Sequence, residues 1–236
     1  MKSYWLKITL LSDAVFGRGD GVAGLVDSEV QHDRCGLPYL SGKTLKGLLM
    51  AEAAEILSAL RQAAPSAAET MTESAGRLFG RPGSRDEQGI LHVGDAKLPE
   101  DLRLAVQADF ARLAQSIEDP AARERALGQL RAAVLDSLTA IRRQTAIDAT
   151  TGAPRRESLR SIRTILRETP FEARLDFMDE PDAAGEALLA ACVMAFRRLG
   201  TGRHRGLGKC EAELANENRE PVTGALFENF ERIVQG

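Results

Sequence analysis

The loop at residues 200–209, which reads GTGRHRGLGK, combines the residue types that bind phosphate. Its four glycines let the backbone approach a ligand closely, while Arg203, Arg205 and Lys209 can donate charge-assisted hydrogen bonds to phosphate oxygens. A mobile basic turn is the plain alternative. A flexible linker rarely interleaves this much positive charge with glycine, so the pattern favours a phosphate-binding loop in which Gly202 and His204 lie beside the ligand.

A second anion-binding segment is predicted where a helix begins at Ser41. Amides at a helix N-terminus lack helical partners and carry partial positive charge, so they attract phosphate. The hydroxyl and ammonium groups of this first turn would add to that attraction: Ser41, Lys43, Thr44 and Lys46. A capped and solubilised helix end is the simpler interpretation of this turn taken alone.

The tripeptide Gly42-Lys43-Thr44 also resembles the end of a nucleotide-binding P-loop. That loop needs four residues between its first glycine and the glycine that precedes the lysine, whereas Gly36 leaves five here. Pro38 also removes an amide donor from the stretch that should wrap the phosphates. The spacing therefore argues against a nucleotide-hydrolysing site.

Positive charge is concentrated in two stretches, although the formal net charge of the chain is −3. Seven arginines and only two acids fall between residues 142 and 167, and five basic residues and no acid fall between residues 197 and 209. A local excess, rather than the total, attracts a polyanion. We interpret the first stretch as an extended basic hairpin. Its candidate polyanion-binding residues are Arg142, Arg155, Arg156 and Arg160.

One carboxylate, Asp27, lies within a glycine-rich loop at residues 13–36. A carboxylate on such a loop could bind a divalent metal or position a nucleophile. By residue type alone, a turn-forming Asp is the stronger interpretation. His32, His92 and His204 are likewise more typical of ordinary polar residues than of catalytic bases.

The composition predicts a folded chain with a sizeable core, since 44% of the 236 residues are apolar and 28% are charged. Three widely spaced cysteines without a CxxC pair argue against a disulfide scaffold and a zinc site. The apolar stretches are too short to cross a bilayer, and the first residues are unlike a signal peptide. We therefore expect a cytoplasmic protein with no membrane partner.

The order of predicted elements indicates an α+β fold with a ferredoxin-like or RRM-like core. We expect one domain at residues 1–236, with a helical insertion at 97–141 and a thumb-like extended insertion at 144–170. The strands are predicted at residues 4–12, 89–96, 144–148, 162–178 and 210–214. A short hairpin near residues 25–30 and a turn at 149–154 complete the extended parts. The helices are predicted at residues 41–64, 71–79, 100–140 with a break near Pro120, 183–198 as an amphipathic helix, and 225–234.

Four segments in this order resemble the RAMP-superfamily backbone subunits of type III CRISPR effector complexes, closest to the Csm-type subunit. The first is GLVDSEV at 24–30 with LPYLSGKTLKG at 37–47, similar to the family's "DSPV…LP.IPGSSLKG". LFG at 78–80 with GDA at 94–96 is similar to "LFG…DA". IDATTGA at 147–153 is similar to the thumb motif "IDR.TG", and the loop at 199–209 is similar to "LGG.RSRGFGK".

The resemblance implies an RRM-like palm with a β-hairpin thumb, repeated head to tail along a guide RNA. It implies partners that include crRNA, target RNA, other copies of the chain and other type III effector subunits. It also implies that the Asp of the "DSPV" segment, here Asp27, promotes cleavage of target RNA at regular intervals with Mg²⁺ or another divalent cation. Lys43-Thr44 replaces the family's Ser-Ser, and Ala149 replaces a common basic residue, which indicates a divergent subtype.

Two alternatives stay open at the level of sequence. The chain could be a catalytically inactive structural subunit of the same complex, with Asp27 as a turn residue. It could instead be a RAMP-type ribonuclease that processes guide RNA without metal, using His32 or His204 as a general base. These hypotheses differ in their predicted dependence on Asp27, on metal and on histidine.

Overall fold

The structure is a computed structural model that describes residues 2–22, 25–80, 88–148, 150–153 and 158–236. Its strands are β1 Ser3–Leu10, β2 Leu91–Val93, β3 Thr139–Gln144, β4 Arg160–Ile165, β5 Pro170–Phe177 and β6 Cys210–Ala215. Its α-helices are α1 Gly42–Ala63, α2 Pro65–Phe79, α3 Glu100–Ser116, α4 Pro120–Leu138, α5 Ala183–Ala195 and α6 Thr223–Gln235. Within the described residues, no helix is long and apolar enough to cross a membrane.

A four-stranded antiparallel sheet in the order β2-β5-β1-β6 forms the centre of the molecule. Alternate residues of β1 point into the core, so Leu6 and Ile8 are buried while their neighbours are half exposed. The connection β1-α1-β2-β5-α5-β6 and this strand order are those of the ferredoxin-like fold. The predicted α+β class with a ferredoxin-like core is confirmed.

Helix α5 is the most buried helix of the core, which differs from the predicted amphipathic helix. It contacts α1, α2, α6 and β6, and nine of its thirteen residues are buried. Because neighbours surround it, its sequence AAGEALLAACVMA is apolar on nearly every face. The helix ends at Ala195 rather than at residue 198, so the two arginines that follow lie outside it.

The helices predicted at residues 100–140 are confirmed as α3 and α4, with the break at Asp119, whose carboxylate caps the first amides of α4. The strand predicted at residues 144–148 is wrong in position. The chain enters β3 at Thr139, directly after α4, and β3 pairs with β4 in a separate two-stranded sheet. Residues 135–141 read LDSLTAI, which local composition assigns to a helix. Pairing with a strand about twenty residues away overrides that local preference.

The remaining predicted elements are confirmed with shifted ends. Helix α2 begins at Pro65, earlier than predicted, and the strand predicted at 89–96 is reduced to the three residues of β2. The extended stretch 162–178 is divided between β4 and β5, with a turn at Glu168, which adopts a φ of 67°. Bridges between Gly17 and Val30 and between Val22 and Val26 confirm a hairpin in the glycine-rich loop.

Candidate nucleic-acid interface

A short segment after β1, residues 13–17, forms backbone hydrogen bonds with the two most cationic parts of the molecule. Ala14 exchanges backbone hydrogen bonds with Ile165 at the end of β4, with N–O distances of 3.0 and 2.7 Å. Val15 pairs with Thr201, in the loop that follows α5. We call β3, β4 and their connection the thumb hairpin, and residues 199–209 the glycine loop. Both are therefore held against the same stretch of backbone.

Asp13 joins these elements through its side chain and its carbonyl. Its buried carboxylate accepts hydrogen bonds from the Arg142 guanidinium at 2.6 and 2.9 Å, and from the Arg167 amide at 3.1 Å. The Asp13 carbonyl accepts a hydrogen bond from the Gly208 amide at 2.8 Å. Sequence reasoning missed Asp13, because nothing local separates it from other loop aspartates. The ion pair with Asp13 also partly neutralises the charge of Arg142, which was predicted to bind RNA.

Asp27 lies beside β4, at the base of the thumb hairpin. Its amide donates to the Ser161 carbonyl at 2.8 Å, and its carboxylate oxygen Oδ2 accepts from the Ser161 amide at 2.6 Å. Asp27 is exposed to solvent, and Arg160 precedes its partner. Long-range pairing thus brings the predicted carboxylate next to one of the predicted RNA-binding arginines.

No protein metal cage surrounds Asp27 in the part of the chain that the structure describes. There, no group of three or more His, Cys, Asp or Glu side chains comes together to hold an ion. Mg²⁺ is commonly held by one or two carboxylates together with phosphate oxygens and waters. A single exposed carboxylate fits such an ion only when RNA supplies further ligands.

The turn of the thumb hairpin is built by Asp148. Its carboxylate accepts from the amides of Thr150 and Thr151, both at 2.9 Å, and these bonds hold the pKa of the carboxyl below its usual value. Gly152, with a φ of 67°, donates back to the Asp148 carbonyl. The predicted turn is confirmed over residues 150–153. Ala149, Pro154, Arg155 and Arg156 lie outside the described residues.

The described part of the thumb hairpin presents apolar as well as cationic side chains to solvent. Ile147 and Leu159 are each 60% exposed, and Arg143 and Arg160 are exposed on the paired strands. An exposed large apolar side chain beside arginines suits insertion against nucleic-acid bases better than contact with water.

The predicted helix N-terminus is confirmed, and several of its polar groups are already engaged. The Ser41 hydroxyl accepts from the Thr44 amide at 3.3 Å, and the Gly42 amide donates to the Asp95 carboxylate at 2.9 Å. Lys46 donates to the Leu91 carbonyl at 3.0 Å, and burial lowers the pKa of its ammonium. Lys43 and Thr44 are the exposed members of the predicted group.

We predict opposite effects for alanine at two glycines of α1. A Cβ at Gly42 would overlap the Val93 carbonyl oxygen, whereas a Cβ at Gly47 would meet nothing within 4 Å. Gly42→Ala should therefore destabilise the fold by about 1–3 kcal/mol, and Gly47→Ala should stabilise it by about 0.5–1 kcal/mol. Urea unfolding of both variants measures this. Equal midpoints would show that α1 does not begin in close contact with β2.

The glycine loop carries its cations on one exposed turn. Arg203–Arg205 forms a single 3₁₀ turn between Gly202 and Gly206, whose φ angles of 72° and 81° suit glycine. The turn is exposed, as is Lys209, while Leu199 and Leu207 anchor the loop in the core. The predicted loop residues Gly202, Arg203, His204, Arg205 and Lys209 are thus presented together.

The glycine loop also lies within electrostatic reach of α1. Burial and the neighbouring Glu55 raise the pKa of the Glu52 carboxyl, and Arg203 opposes that shift. This places Arg203 near the middle of α1, away from the anion-binding turn predicted at residues 41–46. His32 is half-buried, with its Nδ1 3.0 Å from the Asp33 carbonyl oxygen, which sets it apart from the exposed His204.

The open face of the central sheet differs from an aromatic RNA-binding platform. The Arg219 guanidinium covers the Trp5 ring at 3.7 Å from its centroid and pairs with Glu172 at 2.7 Å. Lys7 lies 3.7 Å from Glu213 on the same face. Internal ion pairs therefore occupy this face of the sheet.

The ferredoxin-like core, the thumb hairpin and the glycine loop define an α+β protein with cationic loops grouped at the end of its first strand. The family model of the RAMP superfamily matches residues 7–211. The chain belongs to the RAMP superfamily, as its sequence motifs indicated. A comparison with curated proteins finds no match.

Two solved structures share this fold over nearly their whole length. One is a cryo-EM structure of the type III-B Cmr-beta bound to cognate target RNA, with a TM-score of 0.60, 14% identity, and coverage of 91% of this chain and 97% of that chain. The other is the type III-B Cmr-beta in its apo state, with a TM-score of 0.61, 15% identity, and coverage of 92% and 98%. At these identities the similarity is one of fold.

Proposed function

We propose that this chain is a guide-RNA-binding backbone subunit of a type III CRISPR effector complex and cleaves complementary target RNA at regular intervals. One observation carries the proposal: residues 13–17 hold the glycine loop and the thumb hairpin, with Asp27 at its base, against one stretch of backbone. Membership of the RAMP superfamily and the fold shared with a Cmr-beta chain bound to target RNA support it. The complex would act in the cytoplasm.

In this proposal the protein grips RNA by its backbone and leaves sequence recognition to base pairing. Arg203, Arg205 and Lys209 would contact phosphates, and Lys43 at the start of α1 would supply a further cation. The thumb hairpin would press Ile147 and Leu159 against the guide–target duplex and unstack it. Other copies of the chain, bound head to tail along the guide, would repeat that distortion at a fixed spacing.

Cleavage would follow from the splayed nucleotides beside the thumb hairpin. A 2′-hydroxyl near in-line geometry attacks the adjacent phosphorus, and the bond to the 5′-oxygen of the next nucleotide breaks. Asp27, exposed and held by Ser161, would accept the hydroxyl proton or help hold a divalent ion together with RNA phosphates. When bound, that ion would neutralise charge that develops on the phosphate.

A structural subunit without catalytic activity is the second candidate, and one observation favours it. The Asp27 carboxylate already accepts the Ser161 amide, and among the described residues it belongs to no group of three or more His, Cys, Asp or Glu side chains. Such a subunit would bind guide and target RNA through the same cations. It would leave the target intact.

The two candidates are separated by assembling the complex on a defined guide and adding end-labelled complementary RNA, with Mg²⁺ or with EDTA. We expect regularly spaced products with Mg²⁺ and intact target with EDTA. Intact target under both conditions, bound with the same affinity, would establish the structural subunit. Products that persist in EDTA and vanish with His204→Ala would instead support metal-independent processing of RNA.

A further inference from the structure

A buried ion pair lies two residues beyond Asp27. Glu29 and Arg163 are 2% and 4% exposed, and their side chains meet at 3.0 and 3.2 Å. Burying two charges is costly and is seldom a net source of stability compared with well-packed apolar groups. The pair is therefore better explained by the geometry that it imposes than by the free energy of unfolding.

The Arg163 guanidinium reaches two further elements. It donates to the Asp136 carboxylate of α4 at 2.6 Å and to the Thr139 hydroxyl at the start of β3 at 3.0 Å. On the other side, the Glu29 carboxylate also accepts from the Val30 amide at 2.8 Å. One guanidinium thus ties the glycine-rich loop to the helical insertion and to the thumb hairpin.

The pairing between the loop and β4 runs from this ion pair to Asp27. Ser28 bridges Ile162 in parallel, and the Arg163 amide donates to the Ser28 carbonyl at 3.0 Å. One step earlier, Asp27 and Ser161 exchange their two hydrogen bonds. If the loop shifted by one residue relative to β4, the Asp27 side chain would point to the opposite side of the paired segment. Only one register lets Glu29 meet Arg163.

We propose that Glu29 and Arg163 are positioning residues that fix the register of the Asp27 segment on β4. Through Asp136, they couple the position of Asp27 to α4. The inference rests on the proposed function, since it assigns the pair a part in target cleavage. Neither side chain needs to touch RNA, because both are buried and act through the backbone of residues 27–30.

The test compares two double variants in the assembled complex. Glu29→Gln/Arg163→Met removes the buried charges, keeps an amide oxygen for Val30 and leaves no unpaired buried charge. Arg18→Met/Asp20→Asn removes an exposed ion pair from the same loop and is the matched control. Arg163→Lys keeps the positive charge without the forked geometry. Hydrogen exchange at the Asp27 and Ser161 amides, target affinity and the single-turnover cleavage rate are measured for each.

We expect Glu29→Gln/Arg163→Met to exchange at these two amides about tenfold faster and to cleave about tenfold more slowly, with target affinity within about twofold of wild type. The exchange and cleavage rates of Arg163→Lys should lie between those of the double variant and those of wild type. The control variant should match wild type in both rates. Unchanged exchange, or faster exchange with a wild-type cleavage rate, would overturn the inference. A wild-type complex that leaves the target intact would refute the proposed function instead, and the exchange data would still decide whether the pair holds Asp27.

Discussion

The Asp27→Ala variant should bind guide and target RNA as wild type does and cleave the target about 10²–10⁴-fold more slowly, the range that general acid–base groups contribute. The reason is local. Asp27 is exposed at the base of the thumb hairpin, and its described hydrogen bonds are to Ser161 alone. Water can replace the lost acceptor at this site, so folding and RNA binding should change little. Single-turnover cleavage with saturating guide complex measures the effect.

Two companion variants separate the charge of Asp27 from its hydrogen bond. Asp27→Asn keeps an oxygen that can accept from the Ser161 amide while removing the negative charge, so it should lose cleavage as fully as Asp27→Ala. Asp20→Asn changes an exposed aspartate of the same glycine-rich loop, whose carboxylate pairs with Arg18. The complex that carries this variant should cleave the target at the wild-type rate. Wild-type cleavage by Asp27→Asn would exclude a role for the carboxylate charge. Wild-type cleavage by both Asp27 variants would make Asp27 a turn residue.

The triple variant Arg203→Ala/Arg205→Ala/Lys209→Ala should bind guide RNA about 100-fold more weakly, if each lost contact costs about 1 kcal/mol. All three side chains are exposed on the glycine loop. Because each neutralised phosphate of single-stranded RNA adds about −0.7 to the slope of log affinity against log salt, the slope should become shallower by about 2. Binding measured over a range of salt concentrations gives both quantities.

The matched control removes the same number of charges from three helices. Arg112, Arg125 and Arg232 are exposed on α3, α4 and α6. Alanine at these positions lowers the net charge equally, so it tests whether position rather than total charge matters. We expect the slope to stay near wild type. Equal losses for the two triple variants would show that RNA binds without preference for the glycine loop.

Local patterns were sufficient for most of the elements. Alternation of apolar residues identified β1, and Ser41 and Pro120 marked the starts of α1 and α4. The same patterns were wrong where a partner distant in sequence decides the structure. The predicted helix 100–140 overlaps the start of β3, which instead pairs with β4, and α5 is buried on nearly every face because other helices enclose it.

The sequence likewise predicted some features of the candidate interface and missed others. The cationic character of the glycine loop and the presence of Asp27 in a glycine-rich loop were evident from residue types. Which cations already pair with a carboxylate was not evident, because Arg142, although exposed, pairs with Asp13, 129 residues away in the sequence. Lys46 similarly turns toward the Leu91 carbonyl, 45 residues away, and so leaves Lys43 as the exposed lysine of that turn.

The sequence by itself determined the fold class, the family and the segments that carry positive charge, since these depend on residue types and on short-range periodicity. The tertiary structure decided how those segments meet. Asp13 joins the thumb hairpin to the glycine loop, and the buried pair of Glu29 and Arg163 spans 134 residues. Buried charges require partners, and folding brings those partners from distant parts of the chain. That requirement places Asp27 beside β4.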